Sequence, residues 1–363
     1  MADRRPERLA ALIDALEGAH VDGVLLTGPA NIQYLTGFTG SSGLAVVTRW
    51  SDVVLITDFR YQTQAAEQVG DSARVVIESQ SLWAGLWREL GQLPYVETLG
   101  FESGHLLHRD FQRLLDGGAR WQWRPTTDLV EGLRERKDDG EVTLIRAAAD
   151  VAVRALERTL GEVRPGMTEL AIAGVLERAL REEGSEGFPF ETIVAGGPRS
   201  ALPHARAAAR PVERGDYLLL DFGAIVGGYC ADVTRTVVLG RADERQREVY
   251  DVVRCANALA AAQVRPGMKG RDGDALARDY IHGRGYGEAF GHGLGHGLGL
   301  EVHEAPRLSR TADAPLSPGA VVTVEPGVYL PGWGGVRIED DVHLAPAGPV
   351  VLTHFTRDLL ELP

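Results

Sequence analysis

Cysteine is scarce in this sequence, and long apolar runs and basic clusters are missing from it. Only two cysteines, Cys230 and Cys255, occur among 363 residues, which excludes a scaffold held by several disulfides. Apolar runs are far shorter than the roughly 18 residues that a membrane-spanning helix needs. The formal net charge of −13 argues against nucleic acid, whose binding depends on Lys and Arg neutralising phosphates. We therefore expect neither a membrane nor a nucleic-acid partner.

The first twenty residues are rich in Arg, Asp and Glu and carry apolar side chains at helical spacing. Leu9, Leu12, Ile13 and Leu16 fall on one side of the predicted amphipathic helix. Such a segment differs from an export signal, which needs an uninterrupted apolar stretch. A cytoplasmic location is therefore expected, with both cysteines as small core residues.

Short apolar runs alternate with helical patterns in the first third of the chain. This alternation is typical of an α/β domain. The predicted strands are 21–26, 45–47 and 53–57, and the predicted helices are 61–69 and 82–90.

A strongly charged segment, Arg134 to Glu141, separates this pattern from a longer second part that opens with an alanine-rich helical pattern. Segments that link domains are usually exposed and polar. We therefore predict an α/β N-terminal domain over residues 1–132 and a second domain over residues 133–363.

The second domain contains an internal repeat. The motif VRPGM begins at Val163 and again at Val264, an offset of 101, and an alanine-rich helical pattern precedes each copy. Further on, the run LLLDFG around Asp221 aligns with the run VTVEPG around Glu325, now with an offset of 104. A unit that is present only twice is not a solenoid. We expect a duplicated α+β unit folded about a pseudo-two-fold axis.

Each copy of the repeat carries two acids on apolar strands. A turn rich in glycine separates Asp221 from Asp232, and another separates Glu325 from Glu339, which predicts two β-hairpins. A buried carboxylate is costly unless it is paired or binds a metal. Four such acids, gathered by two matching hairpins, indicate a metal site between the halves. Two further acids are expected at the surface or beside the site: Asp340 and Asp341.

A glycine-rich string, GHGLGHGLGLEVHE, holds His292, His296 and His303. Two histidines four residues apart also occur in helical zinc motifs, but each glycine destabilises a helix by about 1 kcal/mol. We predict an extended segment on which His292 and His296 face the same way, with a bulge or loop that brings in His303. Beside a carboxylate cluster, the string favours one metal ligand with catalytic partners.

Five residues of the second domain resemble, in their order and in the sequence around them, the ligand set of the pita-bread metallopeptidases. This family includes methionine aminopeptidase, prolidase, aminopeptidase P and the non-peptidase creatinase. The motifs LLLDFGA, ADVTRT, TVEPGVY and VRIEDD, with the histidine string, carry the resemblance over residues 134–362. In the first domain, NIQYLTGFTGS and TDFRY look most like the small bacterial aminopeptidase P group. The five matching positions are Asp221, Asp232, His296, Glu325 and Glu339.

The resemblance implies an α+β pita-bread catalytic domain and an Xaa-Pro aminopeptidase, which hydrolyses the bond before a proline at the second position of a peptide. It implies two divalent cations, with Mn²⁺ ahead of Co²⁺ or Zn²⁺. Glu325 is expected to act as general base as well as ligand, and His303 to stabilise the oxyanion. His204 and His292 would position the substrate, and Arg337 would pair with nearby carboxylates.

Three alternatives stay open. An Xaa-Pro dipeptidase (prolidase) would use the same chemistry and would need a cation for the carboxylate of the proline. A creatinase-like hydrolase does not require the metals, and a non-catalytic peptide-binding pita-bread module usually lacks ligands, so the complete ligand set disfavours both. Proline-directed relatives also imply a homodimer in which the first domain of one subunit lies near the site of the other.

Overall fold

The computed structural model describes residues 3–363, which divide into two compact units between Arg134 and Glu135. The boundary predicted after residue 132 lies just before this division. No helix within residues 3–363 is long and apolar enough to cross a membrane.

The first unit is a six-stranded sheet with helices around it. Its strands are β1 (Gly23–Leu26), β2 (Gly43–Thr48), β3 (Val53–Asp58), β4 (Arg74–Glu78), β5 (Thr98–Glu102) and β6 (Gln122–Thr126). Its helices are α1 (Arg5–Gly18), α2 (Pro29–Thr36), α3 (Gln62–Val69), α4 (Leu82–Gly91), α5 (His108–Gly117) and α6 (Glu131–Arg134). The strands lie in the order β4-β3-β2-β1-β5-β6, and β2 is antiparallel to both of its neighbours. The predicted α/β class of this part is confirmed.

The apolar face of α1 is the one predicted, since Leu12 and Leu16 are fully buried. Residues 1 and 2 of that predicted helix lie outside the described residues. The predicted strands correspond to β1, β2 and β3, and the predicted helices to α3 and α4.

The second unit has four long helices and three sheets. Its helices are α7 (Asp139–Glu162), α8 (Glu169–Glu182), α9 (Glu244–Gln263) and α10 (Gly270–Gly283). Its strands are β7 (Ile193–Gly196), β8 (Tyr217–Val226), β9 (Tyr229–Leu239), β10 (Gly295–Gly297), β11 (Glu304–Leu308), β12 (Val321–Val324), β13 (Gly327–Leu330), β14 (Gly334–Arg337), β15 (Asp340–Ala345), β16 (Gly348–Val351) and β17 (Glu361–Leu362). The sheets have the orders β17-β9-β8-β7, β11-β10-β12-β15-β16 and β13-β14.

Matching hydrogen bonds show the internal repeat directly. The amide of Gly166 donates to the carbonyl of Val212, and the amide of Gly267 donates to that of Leu316. These donors are 101 residues apart and the acceptors 104, as in the sequence alignment. Each half thus has a helix pair, α7–α8 or α9–α10, packed behind its strands. The predicted duplicated α+β unit is confirmed.

The first predicted hairpin is a regular one. β8 and β9 pair along their whole length, and the turn between them consists of Gly227 and Gly228, both with positive φ. A two-residue turn of this kind matches the twist of the paired strands, and glycine adopts it without steric cost.

The second hairpin is interrupted where its two acids lie. β12 pairs with β15 and β13 pairs with β14, so the ladder is broken at residues 325–326 and 338–339. Pro326 has no amide hydrogen for a ladder. Asn257 on α9 donates its side-chain amide to the carbonyls of Val324 at 2.8 Å and Ile338 at 3.1 Å, which satisfies backbone groups at the break. Glu325 and Glu339 therefore leave the sheets and lie beside the first hairpin.

Candidate metal centre and active site

One cavity in the second unit, of about 480 Å³, brings together every residue predicted for the site. Its volume lies in the range of about 300–1,000 Å³ found for small-molecule sites. Ten further residues of the rim and wall line it as well, among them Phe190, Arg206 and Arg307. The predicted residues that line it are His204, Asp221, Asp232, His292, His296, His303, Glu325, Arg337 and Glu339.

The first hairpin supplies two carboxylates to one face. Asp221 on β8 lies directly opposite Thr234 on β9, and Asp232 is two residues from Thr234 along the same strand. Side chains opposite each other across strands, or two apart along one strand, share a face. The hydroxyl of Thr234 also donates to Glu339 Oε2 at 2.6 Å, which ties the two halves of the repeat together at the cavity floor.

The second half supplies a histidine and two carboxylates. Potential ligand atoms of Asp232, His296 and Glu339 all lie within 4.8 Å of one another. His296 Nε2 is 3.8 Å from Asp232 Oδ2 and 3.5 Å from Glu325 Oε1. The carbonyl of Gly297 lies 3.1 Å from His296 Nδ1 and can only accept, so Nδ1 carries the hydrogen. The lone pair of Nε2 therefore points toward the carboxylates.

Burial and mutual repulsion shift the pKa values of these groups. Burial and then the charges of Glu339, Asp221 and Glu325 raise the pKa of Asp232 well above its ordinary value. Burial likewise raises the pKa of Glu339, and that of Glu325 to about 7. Burial lowers the pKa of His296 to about 4, so its ring is neutral at pH 7. Acids that repel one another beside a neutral imidazole form a site that a cation would relieve.

A chain of hydrogen bonds connects a second histidine to this cluster. His292 Nδ1 donates to the carbonyl of Gly293 at 2.8 Å, so Nε2 accepts from the hydroxyl of Tyr329 at 2.9 Å. Tyr329 in turn accepts from Arg337 Nη1 at 2.7 Å, and Arg337 Nη2 donates to the carboxylate of Asp221. The predicted pairing of Arg337 with a carboxylate is thus with Asp221.

The other two histidines lie nearer the mouth of the cavity. The strand pairing shifts register just after His296, and the loop that follows brings the ring of His303 to 4.4 Å from that of His296. This is the bulge and loop predicted for the glycine-rich string. His204 is exposed in the segment between β7 and β8. Both rings are therefore open to a molecule that enters the cavity.

Known proteins resemble the whole chain. Residues 143–346 match metallopeptidase family M24, and residues 8–136 match the creatinase/prolidase N-terminal domain. The chain belongs to metallopeptidase family M24. The uncharacterized peptidase YqhT of Bacillus subtilis (strain 168) is 42% identical over 94% of this chain and 96% of its own. A solved Xaa-Pro dipeptidase from Bacillus anthracis has a TM-score of 0.94 at 39% identity, and covers 99% of this chain and 100% of its own. A solved X-Pro aminopeptidase from Thermotoga maritima has a TM-score of 0.89 at 38% identity, and covers 96% and 99%.

The M24 relationship confirms the predicted pita-bread fold and the proline-directed branch of the family, and it implies divalent metal ions. The residues of this cavity fit such ions. Asp232 Oδ1 is buried and has no hydrogen-bond partner among residues 3–363, and a buried carboxylate oxygen without a partner is costly. Carboxylates with one imidazole are a donor set that divalent metals such as Mn²⁺ accept.

The two acids that follow Glu339 are not at the surface. Asp340 is fully buried and accepts from Arg235 at 2.7 Å and from Arg357 at 2.6 Å. Asp341 is also fully buried and accepts the backbone amide of Asp232 at 3.2 Å. The predicted surface location is wrong for both acids, and Asp341 occupies the other predicted location, beside a residue of the site.

Two contributors to the M24 site were not predicted: Tyr329 and Thr234. Both lie within motifs quoted for the resemblance, TVEPGVY and ADVTRT, and nothing in their own chemistry distinguishes them from strand residues. The even spacing of Thr234 from Asp232 is the signal that predicts a shared face.

Proposed function

We propose that this chain is a dinuclear-metal exopeptidase that hydrolyses the Xaa-Pro bond at the N-terminus of peptides. The observation that carries the proposal is the cavity floor, where ligand atoms of Asp232, His296 and Glu339 lie within 4.8 Å of one another. Asp221 and Glu325 complete the set of residues that would hold the ions. Mn²⁺ is the proposed metal because the donor set is rich in oxygen.

When bound, the ions supply a nucleophilic water near neutral pH and polarise the scissile carbonyl. Glu325, whose Oε1 lies 3.5 Å from His296 Nε2 at the cavity floor, is suited to take a proton from water and to return it to the leaving proline nitrogen. His303 is suited to donate to the oxygen that becomes negative at the scissile carbonyl. His204 and His292 would orient the peptide, and Arg337 would hold Asp221 in place.

The proposal predicts a specific cleavage pattern. With added Mn²⁺, we expect the purified protein to release the first residue from Xaa-Pro and Xaa-Pro-Yaa peptides, and matched Xaa-Ala peptides to react at least tenfold more slowly. The measurement is product analysis by chromatography, with and without a chelator. Equal rates on proline and alanine peptides, or full activity after chelation, would contradict the proposal.

An Xaa-Pro dipeptidase is a second candidate, and one side chain favours it. Arg307 on β11 lines the cavity and lies opposite His296 in the strand pairing, so the two side chains share a face. An exposed guanidinium beside the site is suited to bind a carboxylate in a bidentate manner. A dipeptide substrate carries its carboxylate on the proline itself. The dipeptidase name of the Bacillus anthracis structure also supports this candidate.

Replacing Arg307 by Met tests which substrate the site prefers. A dipeptidase should lose about 10–100-fold in kcat/KM on Xaa-Pro, because a hydrogen bond to a charged group contributes about 1.5–3 kcal/mol. An aminopeptidase should retain its kcat/KM on peptide amides of the form Xaa-Pro-Yaa. Arg310→Met, at an exposed position three residues further on, is the matched control. An unchanged kcat/KM on Xaa-Pro in the Arg307 variant would rule out this role.

We also propose that the protein acts in the cytoplasm as a homodimer, as the resemblance to proline-directed peptidases implies. Sedimentation equilibrium should then give twice the chain mass of 39.2 kDa. A mass of a single chain at micromolar concentration would contradict the dimer and would leave the cleavage chemistry unaffected.

A further inference from the structure

A buried acid in the first half of the repeat holds the segment that carries His204. Glu169, in the first turn of α8, is fully buried and accepts the amide of Gly196 at 2.8 Å and that of Ala208 at 2.9 Å. Arg199 pairs with this carboxylate at 3.0 Å and donates to the carbonyl of Arg206 at 2.5 Å. Glu169 and Arg199, the first clamp, therefore fix the chain on both sides of His204.

A second acid–arginine pair holds the segment that carries His292. Asp274 on α10 is 1% exposed, and Arg278, one helical turn later, binds both of its oxygens at 2.6 and 2.8 Å. Arg278 also donates to the carbonyls of Phe290 at 2.9 Å and His292 at 2.6 Å. Asp274 accepts the amide of Leu294 at 2.9 Å. Asp274 and Arg278, the second clamp, thus fix the chain on both sides of His292.

The two clamps occupy related places in the repeat. Each acid lies on the second helix of its half, and each pair binds both amides and carbonyls of a segment that lines the cavity. The acids differ by one helical turn, because the position equivalent to Glu169 is Gly270. A side chain there would collide with the carbonyl oxygen of Arg307, which lies 2.1 Å from the site of a Cβ atom. The acid of the second half is therefore supplied by the next turn.

Neither acid lines the cavity, so neither can touch the substrate. A fully buried carboxylate is tolerated when an arginine and backbone amides satisfy its oxygens, and this arrangement also restricts the backbone it binds. We propose that Glu169 and Asp274 are positioning residues of the peptidase reaction, each acting through one histidine: Glu169 through His204 and Asp274 through His292. This inference rests on the proposed function for the roles of the two histidines.

A crossed double-mutant cycle tests the assignment. Glu169→Gln and Asp274→Asn each remove the charge with little change in shape, and each should lower kcat/KM on an Xaa-Pro peptide about 10–100-fold, as supporting residues of metal sites do. In a His292→Ala background, Asp274→Asn should have less than a threefold effect, while Glu169→Gln keeps its full effect. The reverse should hold in a His204→Ala background. Asp251→Asn, in an exposed helical pair with Arg254, is the matched control.

Amide hydrogen exchange of the metal-free protein gives a second readout that does not need activity. Asp274→Asn should speed exchange at least tenfold within residues 290–294 and leave residues 196–208 unchanged, and Glu169→Gln should do the opposite. If Glu169→Gln or Asp274→Asn does not fold, Arg199→Lys or Arg278→Lys replaces it in the experiment. Lysine keeps the positive charge but lacks the guanidinium group that binds several acceptors at once. The inference would be overturned if each acid variant lowered kcat/KM by the same factor in every histidine background and speeded amide exchange in both segments, 196–208 and 290–294. A wild-type protein without Xaa-Pro hydrolysis would contradict the proposed function alone, because the exchange pattern still tests the clamps.

Discussion

Replacing Asp232 by Asn is expected to abolish peptide hydrolysis and, at the same time, to stabilise the metal-free protein. Burial raises the pKa of Asp232 well above its ordinary value, and the charges of four nearby carboxylates, those of Glu339, Asp221, Glu325 and Asp341, raise it further. An amide of the same shape carries no charge, so it relieves this repulsion when no cation is present. The same change removes a proposed metal ligand. Metal chemistry of this kind contributes several kcal/mol, so kcat/KM should fall about a thousandfold or more.

Three measurements on the Asp232 variant separate loss of function from loss of fold. Metal content by mass spectrometry should fall, and kcat/KM should fall with it. The Tm in the presence of a chelator should rise, by about 2–4 °C for each kcal/mol of relieved repulsion in a domain of this size. Asp251→Asn, which changes an exposed acid, should alter none of the three. A variant that binds metal normally and turns over peptide at the wild-type rate would refute the assignment of Asp232.

Removing the metal should make the stability of the protein fall as the pH rises. Burial raises the pKa of Glu325 from 4.5 to about 7, so the folded chain holds this proton more tightly than the unfolded chain does. An acid whose folded pKa is raised contributes stability below its unfolded pKa, and that contribution is lost as the pH rises through the folded value. The window is therefore pH 4.5 to 7. The loss for Glu325 is on the order of 3 kcal/mol, since one pKa unit corresponds to about 1.4 kcal/mol.

The test compares Tm at several values between pH 5 and pH 8, with a chelator and with Mn²⁺. Metal binding needs ionised carboxylates, so the difference in Tm between the two conditions should widen as the pH rises. Glu325→Gln, which has no proton to lose, should show a flatter curve in the chelator. Parallel curves for the metal-free and metal-loaded proteins would contradict the role of the carboxylate cluster.

Much of the fold could be predicted from local sequence patterns, because the folded chain contains the structures that these patterns favour. The repeated VRPGM motif predicted two matching halves because each copy ends one long helix and begins the turn to the next. The hairpin from Asp221 to Asp232 was predictable because its two turn glycines are adjacent in sequence and both adopt positive φ. The extended conformation of the histidine string followed from its glycine content.

Other features depend on contacts between distant residues and could not be predicted from spacing. The burial of Asp340 requires Arg357, which belongs to the C-terminal segment beyond β16. The break in the second hairpin depends on Asn257, a helix residue 67 positions from one of the carbonyls that it binds. Glu169 and Asp274 looked like ordinary helix residues, because the backbone amides that they accept come from segments folded over the helix. In each case the partner is set by tertiary structure and not by local sequence.

The similarity of the two halves affects how the site can distinguish the amino terminus of a peptide from its carboxyl terminus. An arrangement of two identical halves would present the same groups to a chain entering in either orientation, so it could not tell an amino terminus from a carboxyl terminus. Here the imidazole of the group formed by Asp232, His296 and Glu339 belongs to the second half, and Arg307 lies opposite His296 in the strand pairing. Under the proposed function, the direction in which the peptide binds is set by positions at which the two copies have diverged.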